Sequence, residues 1–268
     1  MKKKKIMHGF ALLFSFAMIS CSQGFENEPQ VEKGFGTLNL KLSSNTAFLD
    51  ETRAVNEESY KNVDNYTVVV LDNKGNEKMN CKYSQVPGKM PLILPIGSYT
   101  VKAFYGAEHD ASRDEFYVYG ESQGMIQGDP ETVSANVECT PTCGRISVSF
   151  SPDMEGYFSD YNVSFTGTVA LGENSIKWEK GDTEPWYVKL EQGGEKVSFT
   201  ITVLAKDEFT AKETTKKGTF DLNRNKAYKI NVSPVYSGTE TGDVSLNITV
   251  DETTNDKPVD IEVPVDWL

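Results

Sequence analysis

The chain has 268 residues and a net charge of −12, from 27 Lys and Arg against 39 Asp and Glu. That balance disfavours nucleic acid and anionic headgroups as partners, since each phosphate would approach against the field of the whole molecule. Hydrophobic residues make up 38%, which at this length suits one large or two ordinary domains, and no apolar run approaches the ~20 residues a spanning helix needs.

The first segment sets the address. Lys2 to Lys5 form a basic head and Phe10 to Ile19 a short apolar body, the layout of an export signal. The cut is expected between Ser20 and Cys21. Met18-Ile19-Ser20-Cys21 resembles the bacterial lipobox, in which the cysteine is lipidated and becomes the first residue of the mature chain. The resemblance implies membrane binding through lipid on Cys21, with several acyl chains giving a stable anchor where one would be marginal. Losing the first 20 residues leaves 248 and removes four lysines, so the mature charge is 23 basic against 39 acidic residues, or −16.

Residues 21–33 are polar and acidic, with Glu26, Glu28 and Glu32. They cannot bury enough apolar surface to fold alone and read as a flexible tether. An acidic stretch after the lipidated cysteine resembles the surface-export signals of Bacteroides-type lipoproteins, which implies the outer membrane and its outward face.

Beyond the tether, helical periodicity is almost absent. Short alternating runs broken by Gly, Pro, Asn and Asp predict an all-β chain of two antiparallel β-sandwich domains, 34–140 and 141–268. Gly36 to Leu42 places Leu38, Leu40 and Leu42 on one face. After it comes a polar stretch, Ser43 to Asn62, that holds Arg53. Val63 to Leu71 is apolar on both faces and reads as a central strand. Leu92, Leu94 and Ile96 lead through Gly97-Ser98 into Tyr99, Val101, Ala103 and Tyr105, and Pro95 with Gly97 predicts a hairpin. Phe116 to Tyr119 and Thr132 to Cys139 finish the first domain. Thr140-Pro141-Thr142 breaks the pattern, and without a long linker the two halves are expected to pack together. Further strands are expected at Arg145–Phe150, Tyr161–Val169, Ser175–Glu179, Trp186–Leu190 and Lys196–Ala205. Gly218–Leu222, Ala227–Ser233, Val244–Val250 and Val259–Trp267 complete the set.

Chemistry is harder to place. Cys81, Cys139 and Cys143 remain after processing, an odd number that rules out a full disulfide framework. Cys139 and Cys143 would lie ~13 Å apart in an extended strand, too far to bridge. A turn at Pro141 would bring them closer, and a bond to Cys81 stays open, but buried free thiols are the reading adopted. His109 is the one histidine of the mature chain and sits in a charged loop with Glu108, Asp110, Arg113 and Asp114. No glycine-framed nucleophile accompanies it, no carboxylate pair is singled out by spacing, and no calcium loop or zinc spacing is present. No cofactor or metal is expected, and the chain does not read as an enzyme. Trp178 and Trp186 are expected on neighbouring strands, where together they would make one aromatic platform for a glycan.

Taken together, the lipobox, the acidic tether, the Gly36 to Leu42 strand, Thr52-Arg53-Ala54, the Leu94 to Tyr105 passage and Val137-Glu138-Cys139 to Phe150 resemble a Bacteroides-type lipoprotein domain of unknown function, similar to the fimbrillin-like and fimbrial-anchor proteins. The resemblance covers most of the mature chain, and its motifs are strand and turn patterns. It implies a surface lipoprotein that builds or decorates fimbriae, with fimbrial or other surface proteins as partners. In fimbrillin-like subunits a protease cuts after an arginine that follows the first strand, the strand leaves, and a neighbour's terminal strand fills the groove. On this chain the corresponding positions are Arg53 and the alternating residues Val259, Ile261, Val263, Val265 and Trp267. Physically that exchange is strand addition to an unpaired edge. The alternative is that Arg53 is an ordinary loop arginine and the last strand closes its own sheet. A surface module that binds a glycan or protein without polymerising is the second class considered, and an exported hydrolase the third.

Overall fold

The computed structural model describes residues 34–48, 55–86, 92–128, 132–206, 213–236, 244–252 and 260–262, all within one compact unit, Gly34–Leu268. The first half contributes β1 (Phe35–Ser44), a single helical turn α1 (Glu58–Lys61), β2 (Thr67–Asp72), β3 (Glu77–Lys82), β4 (Leu92–Pro95), β5 (Gly97–Tyr105), β6 (Ala111–Ser112), β7 (Val118–Ile126) and β8 (Thr132–Pro141). The second contributes β9 (Cys143–Phe150), α2 (Met154–Tyr157), β10 (Phe158–Thr166), β11 (Ile176–Glu179), β12 (Trp186–Lys189), β13 (Glu195–Ala205), β14 (Glu213–Leu222), β15 (Ala227–Tyr236), β16 (Val244–Glu252) and β17 (Asp260–Glu262). The fold is all-β, as the alternation predicts.

Alternation also decides what is buried. Along β13, Val197, Phe199, Ile201 and Val203 are buried while Ser198 and the half-buried Thr200 and Thr202 face out. Strands with one wet face pair antiparallel, and most pairings here do. Two are parallel: β1 runs beside β8 from Thr37↔Thr132 to Ser44↔Cys139, and β15 beside β9 from Ala227↔Arg145 to Val232↔Phe150.

All the first-half strands except β6 form one seven-stranded sheet in the order β3-β2-β5-β7-β8-β1-β4. It folds over itself on β8, whose start pairs with β1 and whose end pairs with β7 through Val118↔Pro141. Its core holds Leu38, Tyr66, Val68, Val101, Val118, Ile126, Ala135 and Val137. In the second half a four-stranded sheet, β11-β10-β13-β14, faces a six-stranded one, β17-β16-β15-β9-β12-β6. Val163, Phe165, Trp178, Phe199, Ile230 and Val250 fill the space between them.

Two local expectations are corrected. The Leu94 to Tyr105 passage is not a hairpin. β4 pairs with β1, while β5 pairs with β2 and β7. Only Ile96 separates the two strands, too little for a two-residue reversal. Its N–H bonds to Gly34 O at 2.9 Å, and Gly97 with φ +154° redirects the chain into the other layer. Nor does the second strand begin at Val63. Val63–Asn65 is a 3₁₀ turn in which Asn62 accepts from the Asp64 N–H, so the ladder starts at Thr67. From there β2 lies inside the sheet, as the apolar pattern predicts.

Candidate interaction surface

The described residues on either side of Arg53 belong to a stretch that reads as polar loop, yet they are held by backbone and side-chain contacts. Before it, Asn45 N donates to Cys139 O at 2.9 Å, extending the path of β1. Asn225, held in the left-handed region at φ 57°, then acts like a short piece of strand. Its Oδ1 accepts from Ala47 N at 2.8 Å and its Nδ2 donates to Asn45 O at 3.0 Å. Phe48, 1% exposed, ends the segment against Phe116 and Tyr187, with ring centroids 5.2 and 5.6 Å away.

After it, Val55, Glu57 and Tyr60 are all buried. Tyr60 stacks on Phe116 at 3.8 Å, and its own carbonyl accepts from Ser44 Oγ at 2.7 Å and Tyr66 OH at 2.6 Å. Burial pushes the phenols of Tyr60 and Tyr66 up to about 12. The Glu57 carboxylate accepts from Tyr187 OH at 2.6 Å and lies 3.6 Å from Arg145 Nε. Sequence reasoning missed this buried group, because its partners belong to β9 and β12. Arg53 itself lies outside the described residues, as do Ser20 and Cys21.

At the other terminus, β17 pairs with β16 from Thr249↔Glu262 to Asp251↔Asp260 and forms one edge of the six-stranded sheet. Ile261 is thus opposite Val250. Val259, Val263, Val265 and Trp267 lie outside the described residues.

The tryptophans do not share a platform. Trp178 on β11 is fully buried, its indole N–H donating to Glu184 O at 2.8 Å. Trp186 on β12 belongs to the opposite sheet and is half-buried beneath the Arg113 guanidinium, 4.6 Å from its ring. Arg113 also grips Asp182 with both nitrogens at 2.8 and 2.6 Å and donates to Lys177 O. Burial opposes the charge on Asp182, but Arg113 and the Glu184 amide outweigh it and hold the carboxyl below the usual range. With one indole in the core and the other capped, neither ring is offered to a sugar.

A different aromatic strip does face outward. Phe104 on β5 and Tyr117 and Tyr119 at the head of β7 lie half-buried on the outer side of the sheet, with centroids 6.0 and 6.2 Å apart in sequence. Lys102 and Glu121 pair across the same face at 3.7 Å, and the Tyr119 hydroxyl bonds to Glu121. Its strand positions were legible, but its continuity depends on the Phe104↔Tyr119 register.

Cys139 and Cys143 are buried free thiols and Cys81 is a half-buried one. Burial raises the Cys139 thiol to about 12 and pushes Cys143 up as well, so neither supplies a thiolate near neutral pH. His109 is exposed and contacts Glu115 at 3.0 Å. Among the described residues no three His, Cys, Asp or Glu side chains gather as a metal site, and no helix is long and apolar enough to cross a membrane.

The model of a domain of unknown function, DUF4493, matches residues 34–265, and the chain belongs to that family. Among solved structures, the fimbrial anchor protein Mfa2 of Porphyromonas gingivalis is 11% identical, with a TM-score of 0.42 over 82% of this chain and 98% of that one. A fimbrial assembly protein of Parabacteroides distasonis is 10% identical, with a TM-score of 0.42 over 85% and 98%. A candidate adhesin of Bacteroides ovatus is 11% identical, with a TM-score of 0.46 over 85% and 96%. No curated protein matches the sequence.

Proposed function

We propose that the protein is an outer-membrane-anchored lipoprotein displayed on the cell surface, with a non-catalytic role in surface assembly or adhesion. The observation that carries this reading is the order of segments: basic head, short apolar body, Ser20-Cys21, an acidic tether, and a folded body whose first strand begins at Phe35. Lipid on Cys21 would hold that body outside the cytoplasm at the end of a tether too polar to fold. Labelled palmitate should enter the protein and be lost in Cys21→Ala. Absence of label, or a full-length cytosolic product, overturns the anchoring.

Assembly would act through Arg53. β1 is an interior strand, flanked by β8 and β4, and it supplies Leu38 and Leu42 to the core. Phe48 lies on the same side of Arg53 and would leave with it. Departure would open a slot with unpaired backbone on β8, the kind of edge an alternating donor strand fills. Treatment with an arginine-specific protease should yield one cut after Arg53 followed by oligomers. A protein that stays whole, or one cut there that remains monomeric, removes the exchange step.

A second reading, a glycan-binding module that does not polymerise, is favoured by the Phe104–Tyr117–Tyr119 strip. Aromatic faces pack on the C–H faces of sugars, while the nearby Lys102, Glu121 and tyrosine hydroxyls meet their hydroxyl groups. A glycan array should give hits that Tyr117→Ala and Tyr119→Ala abolish, and hits that survive both changes would sink it.

A further inference from the structure

Seven large hydrophobic side chains stand exposed among the described residues: Phe35, Ile93, Ile96, Met125, Val169, Leu204 and Val235. Four of them gather at one pole of the first-half sheet. Phe35 opens β1 opposite Pro95 at the close of β4, Gly97 opens β5 opposite Ile126 at the close of β7, and β8 begins beside β1. Phe35, Ile93, Ile96 and Met125 ring this pole at 52, 75, 40 and 53% exposure. Its charges come from the neighbouring turn: Asp72 ends β2 opposite Tyr99, exposed Lys74, Glu77 and Lys78 follow, and Lys78 pairs with Asp72 at 3.0 Å. None of residues 34–40, 92–101, 122–128 and 132–137 is Asp, Glu, Lys or Arg, in a chain where 25% of residues are. Lys33, Lys89, Asp129 and Glu131, which also adjoin these stretches in sequence, lie outside the described residues. Clustered exposed apolar residues on an otherwise charged protein mark a contact surface.

The chain that leads to this pole says what the contact is. Only the 12 residues Ser22–Lys33 separate Cys21 from Gly34. Even fully drawn out, a chain of that length reaches at most ~40 Å. The opposite ends of β7 and β8, at Val118 and Pro141, are where the chain passes on to β9 and the second half. A tether that short would keep this pole within reach of whatever holds Cys21, with the second half on the far side. We propose that this pole, Phe35, Ile93, Ile96 and Met125, docks on the lipid surface itself and inserts its side chains at the headgroup–acyl boundary, so that the first sandwich sits on the membrane rather than swinging above it. The contact draws on buried apolar area, while the mature charge of −16 works against anionic headgroups, so binding should strengthen as salt screens that repulsion and weaken as anionic lipid content rises. It rests on the anchoring proposed above.

The test uses the lipidated mature protein in phosphatidylethanolamine–phosphatidylglycerol vesicles. A polarity-sensitive fluorophore is placed at Ile93→Cys, or at Thr200→Cys on the outward face of β13, in a Cys81→Ser background. The probe at 93 should shift to the blue and be quenched several-fold more strongly by brominated acyl chains than the probe at 200. With Ile93→Asp and Met125→Asp together, a probe at Phe35→Cys should lose that quenching while palmitate still enters at Cys21. A lipidated protein whose residue-93 probe stays in water overturns the proposal. So does a shift that grows with protein-to-lipid ratio and accompanies cross-linked dimers, which makes a second copy the occupant. If palmitate does not enter, the anchoring fails separately, and the same probe on protein added to the vesicles decides the pole: quenching upholds it and its absence overturns it.

Discussion

Glu57 shows what a single buried charge does here. The residue is 7% exposed, and its carboxylate accepts from Tyr187 OH at 2.6 Å and has Arg145 Nε at 3.6 Å, with the arginine itself 3% exposed. Truncating one member of a buried ion pair leaves the other facing a low dielectric, which costs about 3–5 kcal/mol. Glu57→Ala should therefore lower unfolding stability by about 3 kcal/mol in a denaturant titration, and a loss below about 1 kcal/mol would show that the pair is effectively solvated. Nothing local marked this residue, because Asn56-Glu57-Glu58-Ser59 looks like surface and the Tyr187 contact lies 130 positions along the chain. Tyr60 gives a pH prediction at the same scale. Its folded pKa of about 12 exceeds the ordinary 10.0, so above pH 10 the unfolded chain loses the proton first. Stability contributed by the neutral phenol is then complete below pH 10 and falls between pH 10 and 12, by up to ~1.4 kcal/mol per pH unit. Thermal melts should show a shallower alkaline decline for Tyr60→Phe than for the parent, and parallel curves would rule the effect out.

Strands were legible wherever one face is wet, since period-two burial follows directly from the pleat. β13 and β16 come out close to their expected bounds for that reason. Partner choice was not legible. A run such as Leu92 to Tyr105 supports a hairpin or a layer crossing equally well by alternation, and the outcome turns on one intervening residue, Ile96. β3 and β6 were missed because Glu77–Lys82 is mostly polar and Ala111–Ser112 is too short to carry a period. Close approach between elements is equally invisible in a pattern. Gly120 in β7 has no special backbone angle, yet a Cβ there would lie 2.4 Å from Glu138 O and 2.9 Å from Cys139 Sγ on β8. Backbone cannot step aside cheaply, so Gly120→Val should cost on the order of 3 kcal/mol or prevent folding. Gly128, with nothing within 4 Å of its Cβ position, is the control, and equal melting temperatures for Gly120→Val and Gly128→Val would refute the crowding argument.

At the scale of the molecule the question is whether two cores melt as one. The first contains Tyr187 and Ala227, which belong to β12 and β15. In return β6 pairs with β12 in the six-stranded sheet, and Arg113 just after it grips Asp182 and covers Trp186. Asn225 adds a two-bond clamp on Asn45 and Ala47. Neither core can open without exposing side chains that belong to the other, and such shared burial is what makes unfolding all-or-none. Calorimetry of residues 34–268 should give a single transition whose calorimetric and van't Hoff enthalpies agree. Arg113→Ala tests the cause. Removing the guanidinium strips a bidentate partner from Asp182 and the cover from Trp186, so the transition should broaden or split as the second half melts earlier. If the parent already shows two separate transitions, or if Arg113→Ala shifts one sharp transition without changing its width, the coupling does not run through these contacts and the halves behave as neighbours that merely touch.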